Sequence, residues 1–201
     1  MRKGMICVLM ISFLLSACAA AEGENGDDLA LKLRGEYLAA ESCSGTACVT
    51  ADYGQRVYQY ELEFQSNEEE TFLTLTAPET VAGLTARLSW EEGSVLEYDG
   101  AVIETGPLNQ DGLTPVSSIP SMLRTVREGY LDACMLEESE EGTTLRLTSR
   151  DPEQDPGNGA ETVLRFDPGT FQLLRGEIWQ DGFCVIQCEF STFSNQMKDS
   201  G

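Results

Sequence analysis

"YQYELEF", residues 58–64, sets Tyr58, Tyr60, Leu62 and Phe64 against Gln59, Glu61 and Glu63. Apolar and polar side chains alternate with a period of two, so one face of an extended strand is buried and the other meets water. The same signature returns near 71–77, 85–90, 94–98 and 101–105, and again near 132–137, 143–149, 161–167, 171–179 and 183–193. "YDGA" (98–101) holds an Asp-Gly pair suited to a tight hairpin, and "DPGT" (167–170) and "QDG" (180–182) mark two further turns. Counted from residue 46, the sequence predicts ten or eleven antiparallel strands.

Two stretches depart from this period. Asp27 or Asp28 caps a first helix running to about Ala40, with Leu29, Leu33, Tyr37 and Ala40 on one stripe, and Cys43-Ser44-Gly45 breaks the chain after it. A second helix is capped by Ser117 or Ser118, has Pro120 in its first turn, and closes at Gly129. Its apolar stripe is Ile119, Met122, Leu123, Val126 and Tyr130. A long antiparallel sheet with one apolar face must cover that face. The predicted fold class is therefore mainly β with two helices: a strongly curved antiparallel sheet, or incomplete β-barrel, of about 10–11 strands with the helices on its concave face. Glu68–Glu70 and Glu137–Glu141 read as solvated connections, and no repeat or linker divides the region. A single domain is expected over 29–193, followed by a tail at 194–201.

The N-terminus carries an address. Arg2 and Lys3 precede an apolar run from Met5 to Leu15, too short to anchor a protein across a bilayer but suited to a secretory leader. Leu15-Ser16-Ala17-Cys18 resembles the lipobox of bacterial lipoproteins. That resemblance implies a signal peptide at 1–17, a diacylglyceryl group on the Cys18 thiol, and Cys18 as the first mature residue. Residues 18–28 then form the lipidated cysteine and an acidic tether, whose ten residues after the cysteine reach on the order of 18 Å. The leader holds two of the 13 basic residues and none of the 34 acidic ones, which leaves 11 against 34, a net charge of −23. Such a surface repels phosphate backbones and anionic headgroups, which excludes nucleic acid as a partner. The expected location is the extracytoplasmic face of a bacterial cell membrane, lipid-anchored. In a two-membrane cell, the absence of Asp after Cys18 points to the outer membrane instead.

Reactive machinery is missing from the composition. There is no histidine, which removes Ser-His-Asp and Cys-His arrangements and weakens any zinc site. After cleavage only Lys32 and Lys198 remain, and no Gly-rich loop ends in Gly-Lys-Ser/Thr. "DPEQDPGNGAE" (151–161) spaces Asp151, Glu153 and Asp155 like an EF-hand loop. Pro156 stands where glycine is needed, however, and Thr162 where a bidentate glutamate belongs. No metal, cofactor or enzymatic activity is expected. Outside Cys7 and Cys18, Cys43, Cys48, Cys134, Cys184 and Cys188 make an odd number. Cys184 and Cys188, about 13 Å apart along a strand, are too distant to bridge, and apolar packing beside Ile186 and Phe190 is expected. The pairing of the others stays open.

"ADYGQRVYQYELEF", "LTLTAPETVAGLTARL", "LEYDGAVIETG", "REGYL" (127–131) and "FDPGTFQLLRGEI" (166–178) together resemble the Lol-type lipoprotein carrier (LolA-like) superfamily. Within it, the resemblance is to membrane-anchored lipoproteins of Gram-positive spore formers, including the GerS germination lipoproteins. It implies an incomplete β-barrel with a helical lid over an apolar cavity. The corresponding candidate lining is Tyr58, Tyr60, Leu62, Phe64, Leu73, Leu75, Leu88, Trp90, Met122 and Val126. The same spacing suits a filled core. Two functions follow as expectations. One is an anchored, non-catalytic lipoprotein binding a hydrophobic ligand such as an acyl chain. The other is a tethered scaffold for an extracytoplasmic protein, in the resembling branch a cell-wall amidase of sporulation or germination.

Overall fold

The computed structural model describes residues 26–107, 111–140 and 142–197. The signal peptide, the Cys18 lipid site, most of the tether and the end of the tail lie outside the described residues. Two helices, α1 (Gly26–Ala39) and α2 (Pro115–Glu128), accompany eleven strands. These are β1 (Ala40–Asp52), β2 (Val57–Ser66), β3 (Glu70–Ala77), β4 (Thr85–Ser89), β5 (Ser94–Tyr98), β6 (Ala101–Thr105), β7 (Leu131–Ser139), β8 (Gly142–Arg150), β9 (Ala160–Phe166), β10 (Leu173–Gln180) and β11 (Phe183–Met197).

All eleven form one antiparallel sheet in the order β6-β5-β4-β3-β2-β1-β11-β10-β9-β8-β7. Its two ends, β6 and β7, do not pair with each other, so the sheet is an open half-barrel. Bulges interrupt the β1–β11, β10–β11, β9–β10 and β7–β8 pairings, where they add bend and twist. The pairings from β3 to β6 run without a register shift. Among the described residues, no helix is long and apolar enough to cross a membrane.

α1 buries the expected stripe Leu29, Leu33, Tyr37, with Ala40 just beyond its end. The helix starts at Gly26, so Asp27 and Asp28 lie inside its first turn, where their charge complements the helix dipole. The break expected at Cys43–Gly45 is absent. β1 runs straight through it, because these residues pair with β2 on one side and β11 on the other. Gly45 has a packing role there: an added Cβ would collide with the Thr192 carbonyl and sit 3.1 Å from Phe64.

α2 begins three residues earlier than its serines suggest. Thr114 is the N-cap: its Oγ1 accepts from the Ser117 N–H at 3.2 Å, while Ser117 Oγ accepts from the Thr114 N–H at 3.2 Å. This reciprocal box leaves Pro120 inside the helix. Ile119, Met122, Leu123 and Val126 are buried, whereas Tyr130 is 55% exposed because the helix has ended at Glu128.

The two helices clamp each other through arginines. Arg34 of α1 donates from Nε to the Val126 carbonyl at 2.9 Å and also to the Gly129 carbonyl. Arg127 of α2 donates from Nε to the Tyr37 carbonyl at 3.2 Å and from Nη1 to the Asn67 carbonyl at 3.2 Å. Each cation thus meets the carbonyl end of the other helix. The main helix contacts are α1 with β7 and α2, and α2 with β1, β9 and β11. Tyr37 anchors the core there, edge-on to Phe166 at 5.8 Å and donating from its hydroxyl to the Phe171 carbonyl at 3.1 Å. Burial pushes its hydroxyl pKa up.

Candidate functional site

A groove of about 1000 Å³ opens where the C-terminal end of α2 faces the sheet. Three segments far apart in sequence, 66–70, 87–92 and 120–128, build most of it. The β2–β3 turn supplies Ser66 to Glu70, β4 supplies Arg87 and Ser89, the β4–β5 turn supplies Trp90, Glu91 and Glu92, and α2 supplies Pro120, Leu123, Arg124, Arg127 and Glu128. Leu38 closes the end from α1. Its apolar lining is Leu38 and Trp90 with the buried Pro120 and Leu123 beneath, and the rest of its lining is polar or charged.

Local chemistry holds both turns. Asn67 Oδ1 accepts from the Glu69 and Glu70 N–H groups, each at 2.9 Å, which folds the first turn back on itself. Ser89 Oγ accepts from the Glu92 N–H at 3.1 Å in the second. Arg87 bridges them, with Nη1 3.0 Å from Glu70 Oε2 and Nη2 3.9 Å from Glu92 Oε2. Arg124 lies over the Trp90 ring at 4.8 Å and pairs with Glu128 at 3.0 Å. Six glutamates and three arginines line the groove, and each arginine is engaged in a contact of its own.

Of the ten residues expected to line a cavity, only Trp90 faces this groove. Leu62, Phe64, Leu73, Leu75, Leu88, Met122 and Val126 lie in the contiguous core between sheet and helices. Tyr60 packs at the margin of that core, and Tyr58 is 38% exposed. Tyr58 stacks on Tyr60 at 6.4 Å and meets Tyr53 at 6.3 Å, forming an aromatic ladder near the start of α2. The Tyr53 hydroxyl donates to the Leu113 carbonyl at 3.1 Å.

A second concavity of about 300 Å³ lies on the outer face of β8–β10, beside Arg146, Arg165, Glu177 and Trp179. Register sets Arg146 opposite Arg165 and Arg165 opposite Arg175. Like charges so placed repel unless compensated. Buried Glu177 supplies the compensation, 3.3 Å from Arg165, 2.8 Å from Arg175, and accepting from Trp179 Nε1 at 3.2 Å. Glu137, expected in a solvated loop, lies in β7 and pairs with Arg146 at 3.5 Å and Arg165 at 3.2 Å.

Among the described residues the five cysteines are free thiols. Burial pushes Cys188 up to about 12, despite a contact with Ser118 that acts the other way, and pushes Cys134 up to about 11, helped by the Asp27 charge. Cys43 and Cys184 are also raised, chiefly by burial. None of these four is an activated nucleophile. The 151–159 loop joins strands rather than helices. Among the described residues no group of three or more His, Cys, Asp or Glu side chains is placed to hold a metal.

No protein-family model and no curated protein matches the sequence. Solved structures resemble the fold. The LolA superfamily protein NE2245 from Nitrosomonas europaea is 10% identical, with 89% of this chain and 96% of that one covered at a TM-score of 0.49. An uncharacterized conserved protein from Thermus thermophilus is 10% identical, with 84% and 86% covered at 0.49. The lipoprotein LppX of Mycobacterium tuberculosis is 16% identical, with 83% and 95% covered at 0.44.

Proposed function

We propose that this chain is an exported, non-catalytic binding lipoprotein. Diacylglyceryl-Cys18 holds it at the extracytoplasmic face of a bacterial membrane, and it takes an amphipathic ligand with an acyl or other apolar part. The groove at the end of α2 carries this reading. It has the volume of a small-molecule site, with Leu38 and Trp90 to receive an apolar part and a mostly charged lining that would orient a headgroup. Anchoring rests on Arg2, Lys3, the apolar run after them and the small residues before Cys18. A thiol bearing a diacylglyceryl group has two acyl chains, enough for stable attachment.

The deep residues Leu62, Phe64, Leu73, Leu75, Leu88, Met122 and Val126 act in this account as the packed support beneath the groove. Trp90 is the residue that touches ligand. The test is displacement of a fluorescent acyl-chain amphiphile with an uncharged headgroup from the purified full chain. Saturable binding is expected, with Trp90→Ala weakening it by at least about tenfold, as for an aromatic anchor in a recognition site. Absence of saturable binding, or an unchanged affinity in the variant, overturns the assignment.

A second reading is a tethered scaffold for an extracytoplasmic protein, in the branch the sequence resembles a cell-wall amidase of sporulation or germination. One observation favours a protein partner: the exposed apolar side chains Val102 and Ile103 on the last strand of the sheet.

A further inference from the structure

The sheet stops at two strands, β6 and β7, and treats them differently. α1 lies against β7 so closely that a Cβ on Gly26 would run into the Cys134 carbonyl. All five residues of β6 are exposed, Val102 at 59% and Ile103 at 60%. Native edge strands are commonly protected by lysine, proline or a bulge. "AVIET" (101–105) has no lysine or proline, and its register with β5 is unbroken from Ser94↔Thr105 to Tyr98↔Ala101. Alternate residues of such an edge turn their N–H and C=O groups away from the sheet.

The two faces of this edge differ in chemistry. On the concave side Ile103 stands opposite Leu96. On the outer side Val102 stands opposite Glu97, and Glu104 is the single charged residue of β6. We propose that β6 is a strand-addition site for an extended segment of a protein partner whose side chains alternate, apolar toward Ile103 and basic toward Glu97 and Glu104. Main-chain hydrogen bonds would hold the segment, and the alternation would select it. A second copy of this chain fits worse. It would bring its own Glu97 and Glu104 to the same outer face, on a chain of net charge −21. This site is separate from the groove and does not depend on the groove taking a hydrophobic ligand.

The probe is a capped heptapeptide alternating lysine and valine, titrated into the purified full chain, with amide hydrogen exchange as the map. Saturable binding is expected, with slowed exchange confined to 94–106 and abolished by Ile103→Pro. Replacing the lysines by glutamate, or introducing Val102→Lys on the protein, should each weaken binding by about tenfold. Val102 is exposed, so that variant keeps the fold even if the proline variant does not. The proposal is overturned by no saturation up to about 1 mM peptide, by equal affinity for the acidic peptide, or by protection elsewhere. A concentration-dependent dimer abolished by Ile103→Pro would assign the edge to a second copy and overturn it too.

Discussion

The half of the sheet from β1 through β11 to β7 and the wing from β3 to β6 are written in the same alternating pattern, yet they end in opposite states. The first is bulged, bent around two helices and closed over Tyr37, Phe166, Leu145, Leu147 and Leu164. The second is regular in register, joins that same core through Leu73, Leu75, Ala86 and Leu88 of β3 and β4, and finishes in a strand with both faces wet. Curvature with helical cover makes a core, and a regular strand edge without cover leaves surface for partners. The groove sits at the seam, where the end of α2 stops short of the β2–β3 and β4–β5 turns.

The comparison breaks most readily at the covered half. Phe166→Ala removes the ring against Tyr37 and should cost about 3–5 kcal/mol, read as a lowered urea midpoint. A loss below about 1 kcal/mol would mean this half is not the core.

Alkaline titration is the next lever. The native state holds the protons of half-buried Cys134 and buried Cys188, while the unfolded chain releases them near the ordinary thiol value of 9.0. Stability is therefore full below pH 9 and falls as pH rises toward about 11 for Cys134 and about 12 for Cys188. The slope is at most about 1.4 kcal/mol per pH unit for Cys188 and smaller for the half-exposed Cys134, which water screens. Urea midpoints at rising pH should show the decline, and Cys188→Ala should flatten it.

The arginine clamp comes third. Arg127→Met removes the hydrogen bonds to the Tyr37 and Asn67 carbonyls and should cost about 1–2 kcal/mol, at the low end for charged donors because the side chain is partly exposed. It should also loosen the groove wall, raising hydrogen exchange at 66–70. Smallest of all is Val102→Thr on the open wing, expected within about 0.5 kcal/mol by the same denaturation measurement. A larger loss would show hidden packing on β6.

Much of this contrast is legible in the sequence. Period-two runs mark β2 to β10 to within about two residues, because each strand buries one face of a sheet, whereas β11 runs four residues past its expected end at 193, into the expected tail, because Ser194 to Met197 pair with β1. The helical stripe of α2 likewise found Ile119, Met122, Leu123 and Val126. Cys43–Gly45 misled because a local break signal yields to pairing with strands on both sides. Thr114 was overlooked because Ser117 is a cap partner rather than the cap. The groove was illegible for a different reason. Glu68–Glu70, read as a solvated loop, and Trp90, read as one more inward residue, meet only when turns separated by twenty residues converge on the end of α2. The row Arg146, Arg165, Arg175 likewise exists only in the strand register.

Hydrogen exchange on the purified chain, with and without a saturating acyl-chain amphiphile held below its micelle concentration, tests the division of the molecule most directly. The account predicts slowed exchange at 66–70, 87–92 and 120–128, with 143–149 and 161–166 unchanged. Protection that falls on 143–149 and 161–166 instead, or that is absent from the three groove segments, would contradict it.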